Sequence, residues 1–163
     1  MVKAKSFSGM ACSVAGAIEA IVDRWGVLIL RDLMLGLRRY DQLQKSTGIP
    51  AQTLSNRLKQ LEASGLVIKR RYQDKPPRDE YRLTEKGRDL WPVLTALREW
   101  GDRWEAHGAK GVPLELRDKT SGHPLRLELC DSVTGERVAL EKAAPCPGPG
   151  ADDAMRFRLG LTD

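Results

Sequence analysis

Histidine and cysteine, the residues that most often build metal centres and nucleophilic sites, are scarce in this 163-residue sequence: His107 and His123, and Cys12, Cys130 and Cys146. The cysteines are odd in number and far apart, which fits neither a disulfide framework nor a four-ligand zinc site and makes a reducing cytoplasm the expected compartment. No Ser/His/Asp or Cys/His set stands at a suggestive spacing, and neither a P-loop nor a Gly-rich dinucleotide fingerprint occurs. The paired carboxylates Asp152-Asp153 lie in a loop without an acid–base partner. An enzyme is therefore not expected, nor a cofactor or metal. The longest apolar run, Val27 to Leu30, stops at Arg31, far short of the ~20 residues that span a bilayer. The N-terminal stretch lacks the apolar core of ~7–15 residues that export requires, so no membrane partner is expected. With 41% hydrophobic and 30% charged residues, the composition excludes a disordered or fibrous chain.

What is present is positive charge, unevenly placed. Residues 1–110 carry 20 Lys/Arg against 13 Asp/Glu, and residues 111–163 carry 7 against 9. Within 38–88 the count is 13 to 6, so that stretch holds the whole excess of the first part. Releasing phosphate counterions is the largest sequence-independent source of affinity for nucleic acid, so a basic stretch points to such a partner or, alternatively, to a solvated face.

Apolar residues at three- and four-residue steps (Val14, Ile18, Ile21, Val22, Trp25, Leu28, Ile29, Leu33) predict a helix over 14–35, or two with a joint at Gly26. A short helix over 40–46 follows, interrupted by Thr47-Gly48-Ile49-Pro50. A third helix over 51–64 is expected to bury Ala51, Leu54, Leu58 and Leu61 and to end at Gly65. Residues 66–72 and 80–83 are β-prone and flank a turn-rich tip, which makes a two-stranded ribbon. Thr84 is placed to cap a helix running to about residue 105, kinked or broken at Pro92. Beyond Gly111, short β-prone runs (114–117, 125–130, 138–141, 155–161) alternate with Gly, Pro and Asp. A weak echo at thirteen residues suggests two small hairpins.

Helix, short helix, Gly-containing turn, longer helix and basic ribbon is the layout of a winged helix-turn-helix. The fold class expected is α+β: this winged helix with extra N- and C-terminal helices for dimerisation and a small C-terminal β-hairpin appendage. An arm over 1–12, a domain over 13–108 and the appendage over 109–163 would be its parts. On the third helix, the face opposite the leucines presents Gln52, Thr53, Asn56, Lys59 and Gln60, with Ser55 and Arg57 on its flanks. Short amides and hydroxyls suit base edges in the major groove, and the cations suit phosphates. Lys75 and Arg78 on the ribbon tip suit a minor groove or flanking backbone. Of Lys69, Arg70 and Arg71, alternate members must face opposite sides of the strand.

Residues 12–33, Arg38-Arg39-Tyr40-Asp41-Gln42-Leu43, Leu54 to Leu61 with Gly65-Leu66-Val67, and Pro76 to Gly87 together resemble HxlR-type bacterial transcription regulators, over about 10–105. The resemblance implies a homodimer bound to palindromic double-stranded DNA, with no catalytic site. It places Gln52, Thr53, Asn56 and Arg57 on the DNA, Arg39 beside it, and Lys75 and Arg78 in the wing. Ile18, Val22, Trp91, Leu94, Leu97, Trp100 and Trp104 offer more apolar surface than one small core needs, and the resemblance puts the dimer seam there. Cys12 stands where some members of the family sense oxidants, quinones or aldehydes. It precedes a helix, whose dipole favours a thiolate, and Lys3 and Lys5 would add to that if the arm folds back. An inert, half-buried thiol is the competing reading.

The appendage resembles a degenerate zinc ribbon. Ser121-Gly122 and Thr134-Gly135 stand where Cys-Gly knuckles would, while Cys130, His123 and Cys146 lack paired-knuckle spacing. The function expected is a sequence-specific DNA-binding regulator, a dimeric repressor responding to thiol-reactive or oxidative stress or to a small-molecule effector. A protein-interaction module that uses the winged helix as a docking surface is the alternative.

Overall fold

Leucines at 54, 58 and 61, spaced to fall on one side of a helix, decide where the core lies. The computed structural model describes residues 7, 9–105, 108 and 111–161; Lys3, Lys5 and His107 lie outside them. Two helices open the chain, α1 (Ser13–Ile21) and α2 (Arg24–Met34). The joint between them is at Val22–Asp23 and not at Gly26. Val22 takes φ 80, and the Asp23 carboxylate caps α2 by accepting from the Trp25 and Gly26 amides at 3.0 and 3.1 Å. Gly26 serves a different purpose, because a Cβ there would meet the Ile21 carbonyl oxygen at 1.9 Å.

After a turn at Gly36 come α3 (Tyr40–Thr47) and α4 (Ala51–Ala63), joined through Gly48 at φ 67. Ile29, Leu30 and Leu33 of α2, Leu43 of α3, Ile49, and Leu54, Leu58 and Leu61 of α4 are buried together with Leu66 and Val67. Ala51, expected in that core, is exposed. It stands in the first turn of α4, where its carbonyl takes the Tyr40 hydroxyl at 2.6 Å.

The ribbon is β1 (Val67–Gln73) antiparallel to β2 (Arg78–Leu83), paired from Val67↔Leu83 to Gln73↔Arg78 with an irregularity between Arg71 and Gln73. The Tyr81 amide donates to the Arg38 carbonyl at 2.8 Å, fastening the ribbon to the α2–α3 connection. Thr84 caps α5 (Glu85–Arg88), accepting from the Gly87 amide, and its hydroxyl donates to Gly65 at 2.7 Å. The expected helix over 85–105 is broken before Pro92, and α6 (Trp91–Arg103) follows.

The chain divides into two compact units, residues 1–91 with 147–163 and residues 92–146. In the second unit two turns repeat at thirteen residues. Asp118 accepts from the Thr120 and Ser121 amides and Asp131 from the Val133 and Thr134 amides, each ahead of a glycine at φ 73 or 74. Each turn is closed by one bridge, Arg117↔Pro124 and Cys130↔Arg137. None of the four β-prone runs is a strand: 114–117 and 125–130 reach only those isolated bridges, so the expected hairpins are single-bridge turns. Residues 138–141 pass into a 3-10 turn, Leu140–Lys142. Residues 155–161 lie mostly in α7 (Asp153–Arg158), because Asp152 caps that helix by accepting from the Met155 amide at 2.8 Å. Among the described residues no helix is long and apolar enough to cross a membrane.

Candidate nucleic-acid interface

Burying Leu54, Leu58 and Leu61 turns the opposite side of α4 outward, so Gln52, Asn56, Lys59 and Gln60 are exposed and Thr53 is half-buried. The Gln52 amide donates to the Asn56 side-chain oxygen at 3.1 Å, which aligns the two amides one turn apart. Ser55 faces inward to the Tyr40 hydroxyl at 3.1 Å. Tyr40 thus ties the first helix of the turn to the second through both Ala51 and Ser55. Sequence reasoning missed that role, although an aromatic hydroxyl eleven residues before a helix start was visible.

Arg57 is engaged within the molecule. Its guanidinium binds the Asp23 carboxylate through Nε at 2.8 Å and Nη2 at 2.7 Å, and Nη1 donates to Gln60 at 2.9 Å. Asp23 therefore caps α2 with one oxygen and holds α4 with the other. Burial pushes its carboxyl up, but the bond from Arg57, the Gly26 amide, the Arg57 charge and the Trp25 amide outweigh that, and the net position is below the ordinary 3.8. Asp23 also escaped the sequence reading, though Asp before a helical run is an N-cap signature.

In the ribbon, Lys69 and Arg71 share one face and both pair with Asp79, at 3.1 Å each. Hydrogen bonds from Arg71 and Lys69 hold that carboxyl below its ordinary value, and the bond to Asp79 raises the Lys69 ammonium. Arg70, on the opposite face, has no ion pair among the described residues, and the same is true of Lys59, Lys75 and Arg78. Arg39, at the head of α3, lies over the Tyr72 ring at 5.5 Å, between the helix-turn-helix and the ribbon. The first unit thus carries a short polar helix face and a ribbon on which Arg70, Lys75 and Arg78, unlike Lys69 and Arg71, have no ion pair among the described residues. Such a surface can meet base edges and phosphates.

The match to known proteins agrees with this layout. Residues 20–109 match the HxlR-like helix-turn-helix family. The chain belongs to that family. An uncharacterized HTH-type transcriptional regulator of Mycobacterium tuberculosis, Rv3095, is 41% identical over 138 residues, covering 85% of this chain and 87% of its own. A match of that length runs past residue 109, so the relative shares part of the C-terminal segment. Among solved structures, PA1607, titled as a candidate transcription factor, superposes with a TM-score of 0.76 at 33% identity, covering 87% of this chain and 99% of that one. The redox regulator HypR in its oxidised form has a TM-score of 0.54 at 31% identity over 56% of this chain and 96% of its own. The HxlR-family chain is a transcriptional regulator with a helix-turn-helix, in a family of DNA-binding proteins that are not enzymes.

The remaining sequence-derived sites fall as follows. Cys12 immediately precedes α1, half-buried, and its thiol makes no capping bond. Val14 and Ile18 of α1 are exposed and Val22 is half-buried. Trp91 is partly exposed. On α6, Leu94 is half-buried, while Leu97 and Trp100 are exposed, as is Trp104 just past its end, the tryptophans at 61% and 67%. Cys130, Cys146 and His123 are exposed. A hollow of about 410 Å³ in the first unit is lined by Leu33, Met34, Arg38, Tyr81, Arg82 and Trp91, among others.

Proposed function

We propose that this HxlR-family chain is a homodimeric repressor that sets α4 in the major groove of a palindromic operator and the ribbon on the flanking backbone. The observation that carries the reading is the exposed Gln52–Asn56 amide pair beside Lys59, with Lys75 and Arg78 on the ribbon of the same unit, three cations with no ion pair among the described residues. In this reading Gln52, Thr53 and Asn56 meet bases, while Lys59, Lys75, Arg78 and Arg39 hold phosphates. Arg57 and Ser55 act as positioning residues, since their polar groups already serve Asp23 and Tyr40. The dimer seam is the apolar surface of Ile18, Val22, Trp91, Leu94, Leu97, Trp100 and Trp104, because two recognition helices one DNA turn apart require a two-fold partner. A bound dimer represses by occupying the promoter.

The controlling signal is thiol modification at Cys12. HypR is titled a redox regulator, and Cys12 heads the helix that carries Ile18 and Val22. That helix ends at the Val22–Asp23 joint, and Asp23 holds Arg57 on α4. A shift of α1 therefore has a route to the recognition helix. The hollow lined by Arg38, Tyr81 and Trp91 favours a second signal, a small anionic effector with an apolar body.

The test is an anisotropy titration against the DNA upstream of the chain's own gene and a shuffled control, at 50 and 200 mM salt, with the thiol reduced and then oxidised. The expected result is tight binding to the native DNA alone, weakened ~10³–10⁵-fold by the higher salt if ~6–10 phosphates are held. Oxidation should release it, and Cys12→Ser should abolish that release. Release that survives Cys12→Ser ends the Cys12 assignment. No affinity for any DNA would favour a protein-docking role.

A further inference from the structure

Residues 124–130 run without turn or bend between the two aspartate turns, from the bridge at Pro124 to the bridge at Cys130. The odd-numbered residues use their backbone within the second unit. Leu125 donates to the Leu116 carbonyl at 2.7 Å, Leu127 donates to the Glu99 carboxylate at 3.0 Å, and the Leu129 carbonyl accepts from Val138 at 2.8 Å. In an extended chain alternate residues aim their N–H and C=O groups at opposite edges. The backbone groups of Pro124, Arg126, Glu128 and Cys130 therefore face the other edge, and none of them has a hydrogen-bond partner among the described residues. An edge left open in this way is a template for another strand.

The side chains say which strand fits. Leu125, Leu127 and Leu129 fall on one face of the pleat, and all three are exposed. Arg126 and Glu128 fall on the other, paired at 2.7 Å. Read outward from Leu127, the segment is complementary to itself: leucine answers leucine, and Arg126 answers Glu128. An antiparallel second copy centred on Leu127 puts each Arg126 opposite the other copy's Glu128 and each Leu125 opposite the other's Leu129. The hydrogen-bond phase agrees. Leu127 aims its backbone away from the open edge, so it forms a non-hydrogen-bonded pair on the two-fold axis, and the flanking Arg126 and Glu128 exchange both backbone bonds. Pro124, which lacks an N–H, falls at the end of the ladder, where it has only to accept from Cys130.

We propose that residues 124–130 are a self-pairing strand, through which two copies of this chain join edge to edge about Leu127. The joined ribbon gathers the leucines of both copies on one face and crosses Arg126–Glu128 ion pairs on the other. The pairing needs a second copy but not the helical seam proposed above, so each can stand or fall alone.

Disulfide mapping in a chain with Cys12, Cys130 and Cys146 replaced by serine tests the register. Opposed residues of such a pair have Cα atoms about 4.5 Å apart, within disulfide reach. Two copies of residue 125 would lie on the order of 14 Å apart along the ribbon, beyond it. After mild oxidation, Leu127→Cys should give a cross-linked dimer on a non-reducing gel, about tenfold more than Leu125→Cys or Leu129→Cys alone. Mixing the Leu125→Cys and Leu129→Cys chains should restore the cross-link. Absence of a cross-link in Leu127→Cys, or equal cross-linking by all three, overturns the pairing. Sedimentation of the cysteine-free chain separates the two interfaces: a dimer there without a Leu127→Cys cross-link leaves the helical seam standing and removes this strand from it.

Discussion

Residues 1–91 bury Ile29, Leu30, Leu43, Leu54, Leu58 and Leu61 almost completely, whereas in 92–146 the only buried side chain among the described residues is Thr95. The first unit is a packed core with polar ties at its joints. The second is a helix and two turns held by single polar bonds: Arg98 to Asp102 and to the Leu114 carbonyl, the Leu127 amide to Glu99, and each aspartate to the amides two and three residues on. Dispersion and hydrophobic burial accumulate over many atoms and make a unit cooperative. Hydrogen bonds within five residues fix a turn but say little about its neighbours. The contrast teaches that the half carrying the helix-turn-helix has a buried core to hold it, while the other half leaves Leu97, Trp100, Leu125, Leu127 and Leu129 exposed.

The largest expected effect sharpens that contrast. Leu58→Ala should destabilise the protein by ~2–5 kcal/mol in urea unfolding, because the site is fully buried. Leu125→Ala, exposed in the second unit, should stay within ~0.5 kcal/mol when the chain is monomeric. Equal costs would mean that the second unit has a core of its own. Next in size is a change that should leave both units folded. Asn56→Ala should lose ~1–3 kcal/mol on the true operator and little on random DNA. Arg78→Ala should weaken both DNAs alike and lower the salt slope by about 1.

Smaller again is the tie at the α1–α2 joint. Asp23→Ala removes a helix cap and the partner of Arg57 and should cost ~1–2 kcal/mol, and Asp23→Asn should recover the capping part. Since the folded carboxyl lies below the ordinary 3.8, its contribution is fully present above that value and fades as pH falls through the lower folded one. The gap between wild type and Asp23→Asn should therefore close below about pH 4 in thermal melts. The smallest effect is confined to the second unit. Amides of Ser121 and Thr134 hold the Asp118 and Asp131 carboxyls below their ordinary range. Asp118→Ala should speed hydrogen exchange at Thr120 and Ser121 without moving the melting of the first unit. Loss of protection in α4 would contradict the division into two units.

Much of the first unit was legible because its elements are periodic. The leucine spacing in α4, the Gly48 turn, the Thr84 cap and the break ahead of Pro92 each follow from a local rule. Where local rules competed, they misled. Glycine marked the expected joint at 26, yet Gly26 is needed for close approach to Ile21 and the chain bends at Val22, whose positive φ no propensity suggests. The β-prone residues 155–161 lie largely in a helix because Asp152 offers a cap, a single side-chain bond that outweighs a weak preference. For the candidate interface, the outward set Gln52, Asn56, Lys59 and Gln60 followed from helix periodicity, but the engagement of Ser55 and Arg57 did not.

By itself the amino-acid order determined the helices of the helix-turn-helix, which face of α4 is apolar and where the positive charge collects, since these depend on neighbours within a few positions. Only the tertiary structure decided that Arg57 reaches Asp23, 34 residues away, and that Lys69 and Arg71 are neutralised by Asp79 while Arg70 is not. It also decided which edge of residues 124–130 stays open. Pairings of this kind depend on which side chains the fold brings within about 3 Å, a distance set by packing of the whole unit and not by separation along the chain.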